Sequence, residues 1–305
     1  MFRSSRGKIV LTYLAALAVF VGLNALLFRT GLYRSAIEPD SYAGQAETLH
    51  RIASGDAAPS QVLVLGDSRI AEGFSAKLAN ARDASSGLDF VNGAIPASTP
   101  RCWYYILRDL DPAATKYRAV VLAVDDYNDE DGAWDWADRL LDLRILVFRL
   151  RVEDVWDFAR SFHGVRERFE AALGGLLRGV VLKDDVQALL AHPRDRLGRV
   201  ELYNRSAAGA LYNYEGNPRS LSGLAVNWTT HRIAFPVGLS DGQKAEFRAA
   251  LFRVTLPQNG SYARYRKLWL GRIVDRYRNS GTRIVFVRLP RGPAPRNAAP
   301  GRFAR

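Results

Sequence analysis

Four short stretches of the chain are apolar or nearly so: Gln61-Val62-Leu63-Val64-Leu65, Leu88-Asp89-Phe90-Val91, Ala119-Val120-Val121-Leu122-Ala123-Val124 and Arg283-Ile284-Val285-Phe286-Val287-Arg288-Leu289. The first and third are unbroken, which predicts strands covered on both faces, as inside a parallel sheet. Between these runs the apolar spacing is helical. It predicts helices at about 42–52, 71–81, 100–110, 166–177, 183–191, 241–254 and 262–279. Thr99 is a natural cap for the third, Pro100 suits its first position, and Ser280-Gly281 stops the last. Strands alternating with helix-length segments make βαβ units, so the predicted fold class is α/β with a doubly wound parallel sheet.

Two regions break the alternation. Residues from about 134 to 237 read as an insertion shaping a pocket over the sheet edge, with 202–236, rich in Asn, Gly, Ser and aromatics, as loops. Inside it Leu140–Val152 is apolar with Arg139, Arg144, Arg149 and Arg151 in or beside it. Two readings stand: a basic amphipathic surface on a membrane, or arginine stems covering apolar neighbours within a folded insertion. The other region is Ile9–Phe28 (IVLTYLAALAVFVGLNALLF), which holds no charge. As a helix it is about 30 Å long, enough to cross the hydrocarbon core of a bilayer. It is longer than the core of a signal peptide, no clear small-x-small cleavage site follows, and a soluble helix of this length would carry a polar face. The reading is a single membrane anchor with the lipid bilayer as partner through 9–28, then a tether over 29–58 and one domain over 59–305. Arg3, Arg6 and Lys8 precede the span while Arg29 and Arg34 follow it. The positive-inside rule then puts residues 1–8 in the cytoplasm and the domain outside it.

Composition narrows the chemistry. Lys plus Arg is 43 against 31 for Asp plus Glu, giving a formal net charge of +12. The arginines are scattered, with no basic run interleaved with aromatics, so no nucleic-acid partner is indicated. Cys102 is the single cysteine, which excludes an internal disulfide and a cysteine-based metal site. The acidic run 125–131 invites a calcium-loop reading, but counting from Asp126 puts Asp131 and Ala137 where an EF-hand needs Gly and Glu. The four histidines, His50, His163, His192 and His231, are too widely spaced for a metal site, and no cofactor is called for.

Reactive chemistry points to Gly66-Asp67-Ser68, at the end of the first strand. A serine at such a strand-to-helix turn lies at the carboxyl edge of the sheet, beside backbone N–H groups that can hold an anion. The alternative is a capping serine, although Ala71 stands where a capping box would have Glu or Gln. Two more polar turns follow strands in order, Asn92-Gly93-Ala94-Ile95-Pro96 and Asp125-Asp126-Tyr127-Asn128.

The Gly66-Asp67-Ser68, Asn92 and Asn128 turns, each after a buried strand, resemble the SGNH hydrolase (GDSL-like) superfamily over about residues 59–133. The resemblance implies a flavodoxin-like three-layer fold. With the anchor added, it is similar to membrane-tethered members that handle acyl esters of envelope polysaccharides, as esterases or O-acyltransferases, with a polysaccharide and a membrane acyl-transfer protein as partners. It implies Ser68 as acyl-enzyme nucleophile and a donor of its own N–H to the oxyanion, Gly93 or Ala94 as a second backbone donor, and the Asn128 side chain as the third. Alanine at 94 stands where the family has glycine. The family's Asp-x-x-His block, which supplies the general base, has no counterpart after Leu289, and no histidine follows His231. Two accounts follow: a chain cut short from a longer product, which the Pro/Arg-rich ending fits better, or a degenerate domain that binds without hydrolysing.

Overall fold

In a computed structural model, residues 5–54, 60–124, 139–205, 224–227, 229–230, 232–251 and 260–288 are described. The centre is a parallel sheet of β1 (Gln61–Leu65), β2 (Asp89–Asn92), β3 (Ala119–Val124) and β6 (Arg283–Arg288), in the order β2-β1-β3-β6. The architecture is therefore mixed α/β with a parallel sheet, as the apolar runs predict. A separate hairpin, β4 (Ala225–Asn227) and β5 (Arg232–Ala234), falls where only loops are expected.

Strand periodicity sorts the core into two layers. Leu63 and Leu65 of β1, with Val120, Leu122 and Val124 of β3, face the larger cluster. That layer contains α2 (Tyr42–Ala53), α5 (Pro100–Leu110) and α13 (Gly260–Tyr277), through Leu49, Tyr105 and Trp269. The alternate residues Val64 and Ala123 face a smaller cluster with Ile70 and Ala71 of α3 (Ser68–Gly73). On that second face Val285 and Val287 of β6 remain exposed. β1 is thus covered on both sides and β6 mainly on one.

The local rules hold well around α5. Thr99 Oγ1 accepts from Cys102 N at 3.4 Å and Pro100 opens the helix. The helix expected over 71–81 is instead two pieces, α3 and α4 (Ala76–Arg82). The Asn92 side chain accounts for the break: its Nδ2 donates to the Ile70 and Phe74 carbonyls at 3.3 and 2.9 Å. Ser75 then recaps the chain, accepting from Leu78 N at 3.2 Å.

One expectation needs correction, and one open choice is decided. The stretch 29–58 is no free tether over its described part. α2 carries a stripe of Ala43, Ala46, Leu49 and Ala53, and all four are buried. Ahead of it, Glu38 meets Arg196 Nε of α11 (Pro193–Arg205) at 2.8 Å, and Tyr33 donates to Asp185 of α10 (Lys183–Ala191). An amphipathic helix with that much apolar surface is stabilised by docking. The open choice concerns Leu140–Val152, where, of the two readings, the structure has apolar residues packed within a folded insertion. Leu143, Ile145, Leu146, Val147, Phe148 and Leu150 are buried, around α6 (Leu141–Leu146). Arg149 lies among them, donating to Glu47 at 3.0 Å and to Asp109 at 3.0 Å.

Asp109 also lies 3.1 Å from His50 Nδ1. Burial pushes its carboxyl up, but the hydrogen bonds from His50 and Arg149 outweigh that and hold it down at about 2. A depressed carboxyl contributes stability above its unfolded value of about 4, and loses it as pH falls through the folded value. Urea midpoints of the full chain in detergent micelles are therefore expected to drop from about pH 4 toward about pH 2. Asp109→Asn should be less stable near neutrality and flatter across that window. An unchanged slope in the variant would count against the pairing.

The helix α1 (Ser5–Arg29) contains one segment, Gly7–Arg29, long and apolar enough to cross a membrane, a property shared by membrane spans and signal sequences. Its far end is held by the insertion. Arg29 Nη2 donates to the Gly175 and Leu176 carbonyls at 2.7 and 3.1 Å. Buried Arg178 donates to the Phe28 carbonyl at 2.8 Å and to the Leu150 carbonyl at 2.7 Å. Its guanidinium is pushed down to about 10, first by burial and then by the neighbouring Arg29 and Arg34.

Candidate active site at the carboxyl edge of the sheet

β1 and β3 are neighbours, yet the chain leaves β1 for one side of the sheet and reaches β3 from that side. The strand order reverses between them, and in open α/β sheets such a switch point leaves a crevice outside the carboxyl ends. β1 ends there at Leu65, followed by Gly66, Asp67 and Ser68.

Gly66 serves close packing more than turn geometry. Its φ is not positive, but a Cβ at this position would lie 2.5 Å from Ile70 Cγ1 and 3.2 Å from Ala123 Cβ. The absence of a side chain lets α3 settle on the sheet end. Asp67 is the helix cap, its carboxylate accepting from Arg69 N at 3.0 Å and from Arg69 Nε at 3.0 Å. The capping role considered for Ser68 therefore belongs to its neighbour. Ser68 is the first helical residue, half-buried, and its hydroxyl makes no hydrogen bond among the described residues. At six residues, α3 is too short to bring much dipole to the site.

The second turn is tied directly to the first. Ile95 N and Ser98 Oγ donate to the Gly66 carbonyl at 3.1 and 2.9 Å, and Ser98 Oγ accepts from Trp103 Nε1 at 2.8 Å. Sequence reasoning passed over Ser98 and Trp103, because a Ser-to-Trp contact across a helix start has no sequence signature. It also missed the structural work of Asn92, for which an amide at a strand end was the available clue. Neither expected backbone donor is open in this conformation. Gly93 N donates to the Val64 carbonyl at 2.8 Å, and Ala94 N to Asn92 Oδ1 at 3.1 Å. Gly93 has a further constraint, since a Cβ there would meet Leu63 Cδ1 at 2.8 Å. Ala94 can act as a donor only if Asn92 Oδ1 releases or shares its N–H. The third turn, with Asn128, lies outside the described residues.

Beside the second turn is a cleft of about 440 Å³ lined by Pro96, Tyr42, Asp40, Gln45 and Arg144, among others. That is within the size range of small-molecule sites. The lining combines an aromatic ring, an acid, an amide and a cation, a set suited to hydroxyl-rich ligands.

The described histidines are elsewhere. His50 and Asp109 sit in the last turns of α2 and α5, where the Ala53 carbonyl accepts from Lys116 Nζ and from Tyr117 Oη just ahead of β3. That is the amino edge of the sheet, a strand length of about 16 Å from the Ser68 edge. His163 precedes α8 (Val165–Leu176), and His192 separates α10 from α11; both are exposed. His231 lies outside the described residues.

No family model, curated protein or solved structure matches this chain.

Proposed function

We propose that the chain is a membrane-anchored serine esterase or O-acyltransferase of SGNH type, acting on acyl esters of an envelope polysaccharide. The observation that carries this reading is Ser68, the first helical residue after β1 at the point where the strand order reverses, with Asp67 taking the cap. The β2-β1-β3-β6 order agrees with the first four strands of a flavodoxin-like 2-1-3-4-5 sheet, which supports the fold expected for that superfamily. In the proposed reaction Ser68 Oγ attacks the ester carbonyl, and the alcohol leaves as the acyl-enzyme forms. Water or an acceptor hydroxyl then takes the acyl group. The Ser68 N–H, with Ala94 N and the Asn128 amide, would stabilise the tetrahedral oxyanion. The aromatic and polar cleft beside Pro96 would hold the sugar.

The docking of Phe28 and Arg29 onto the insertion favours α1 as a retained anchor over a cleaved leader, because cleavage would expose the surfaces it covers. The charge distribution around it favours a domain outside the cytoplasm.

A second reading has one observation in its favour: among the described residues no histidine is bonded to Ser68. In that reading the domain binds glycan, or a partner transporter, without cleaving an ester. Fluorophosphonate labelling of the full chain in native membranes separates the two. Hydrolytic chemistry predicts covalent labelling that disappears in Ser68→Ala, while an unlabelled wild-type chain would sink the enzyme reading.

A further inference from the structure

The insertion carries an apolar surface that the catalytic reading does not use. On α8, Val165 is 81% exposed, Phe169 67% and Leu176 38%, along one stripe of the helix with Ala172 between. Next to it α7 (Val155–Arg160) and the turn before it expose Trp156 at 58% and Val152 at 54%. Between the two helices runs a groove of about 440 Å³, lined by Trp156, Phe169, Leu173 and Leu176, with Arg160 and Arg168 alongside. A tryptophan, a phenylalanine and aliphatic groups side by side in water are costly unless something covers them.

The position of this surface indicates what covers it. The α8 stripe ends at Leu176, whose carbonyl accepts from Arg29, the last residue of the apolar helix α1. The next helix, α9 (Arg178–Val181), closes the join: a Cβ on Gly179 would lie 2.6 Å from Asn24 Nδ2 and 2.8 Å from Phe28 Cε2. The last turns of α1 still present Leu23, Leu26 and Leu27 outward. The exposed faces of α1, α9 and α8 thus meet where a spanning helix would leave the bilayer. Arginines flank the groove, and such side chains pair with anionic headgroups while their stems stay among apolar groups. Tryptophan favours that interface.

We propose that the α7–α8 face rests on the outer surface of the same bilayer that α1 crosses, with Trp156 and Phe169 among the first acyl carbons and the groove open to a lipid chain. This rests on α1 being a retained membrane span. The insertion then holds the domain at a fixed height over the membrane, so that its carboxyl-edge cleft works on material at the surface.

Site-directed spin labelling tests this in the full chain, reconstituted in vesicles of phosphatidylethanolamine and phosphatidylglycerol. Native Cys102 is fully buried and will not interfere. Labels at Trp156→Cys and Phe169→Cys replace exposed side chains, so folding is expected to survive. Leu17→Cys reports on the span and Leu78→Cys, on α4, on water. Labels at 17, 156 and 169 are expected to collide more with oxygen than with an aqueous nickel chelate, and the label at 78 the reverse. A lipid-exposed label at 17 with aqueous labels at 156 and 169 would overturn the proposal and leave the anchor standing. An aqueous label at 17 would remove the anchor, and the proposal with it. Dipolar broadening between labels at 169 would mean that a second copy covers the face, which also overturns it.

Discussion

Asp142→Ala is expected to destabilise the domain by about 3–5 kcal/mol, the cost of deleting one member of a buried ion pair. Asp142 and Arg101 are both fully buried, with Arg101 Nη1 3.6 Å from Asp142 Oδ2. The same carboxylate oxygen accepts from Thr99 Oγ1 at 2.9 Å, and Tyr265 Oη donates to Thr99 Oγ1 at 3.0 Å. One small cluster therefore links the start of α5, the insertion helix α6 and α13. The guanidinium sits in an aromatic cage, 4.0 Å from the Phe162 ring centroid and 5.2 Å from that of Tyr265. These rings favour the cation but offer no acceptor to replace the carboxylate. Burial pushes the Asp142 carboxyl above its ordinary range, and Arg101 and Thr99 pull it back only in part. Urea unfolding of the full chain in micelles, followed by tryptophan fluorescence, measures the loss. Asp142→Asn keeps an acceptor for Thr99 and should cost less. The double variant Arg101→Met/Asp142→Leu should recover much of the deficit, since well-packed apolar replacements of buried pairs are often near neutral. A loss under about 1 kcal/mol for Asp142→Ala would show that the pair is unimportant to stability.

Gly66→Ala is expected to damage the site more than its single carbon suggests. The added Cβ would fall 2.5 Å from Ile70 Cγ1 and 2.7 Å from Ile70 Cβ, so α3 must move off the sheet. Overpacking of this kind costs about 1–3 kcal/mol. A shift of roughly 1 Å in a reacting group can cost on the order of 100-fold in rate. Because Ser68 opens α3, its fluorophosphonate labelling rate should fall at least as steeply as stability does. Ile70→Ala on this background removes the Cγ1 contact but leaves the Cβ contact, so recovery should be incomplete. Full labelling in Gly66→Ala would mean that Ser68 does not depend on the seating of α3.

The candidate site was legible in the sequence only where its signals are local. A glycine after an apolar run marks the end of β1, and the order Asp67-Ser68 puts a hydroxyl at the following helix start. Which of these two residues caps α3 was not legible, because both side chains can do so and only backbone direction selects Asp67. The state of the Gly93 and Ala94 N–H groups was equally hidden. Their present acceptors are the Val64 carbonyl of a neighbouring strand and the Asn92 side chain, whose hold on α3 is a tertiary arrangement.

By itself the sequence determined the strands of the parallel sheet, the cap and start of α5, and an apolar helix near the N-terminus. Each of these depends on residues within a few positions of one another, through side-chain period, cap chemistry or the length of an uncharged run. Tertiary structure alone decided that residues after α1 dock instead of forming a tether, that the apolar residues between Leu143 and Leu150 are interior, and that Val165, Phe169 and Trp156 are exposed beside the end of α1. Leu146 and Phe169 have the same tendency to leave water, and their own neighbours in the chain do not distinguish them. What distinguishes them is which surface the rest of the fold brings against each, and that is fixed only when distant segments meet.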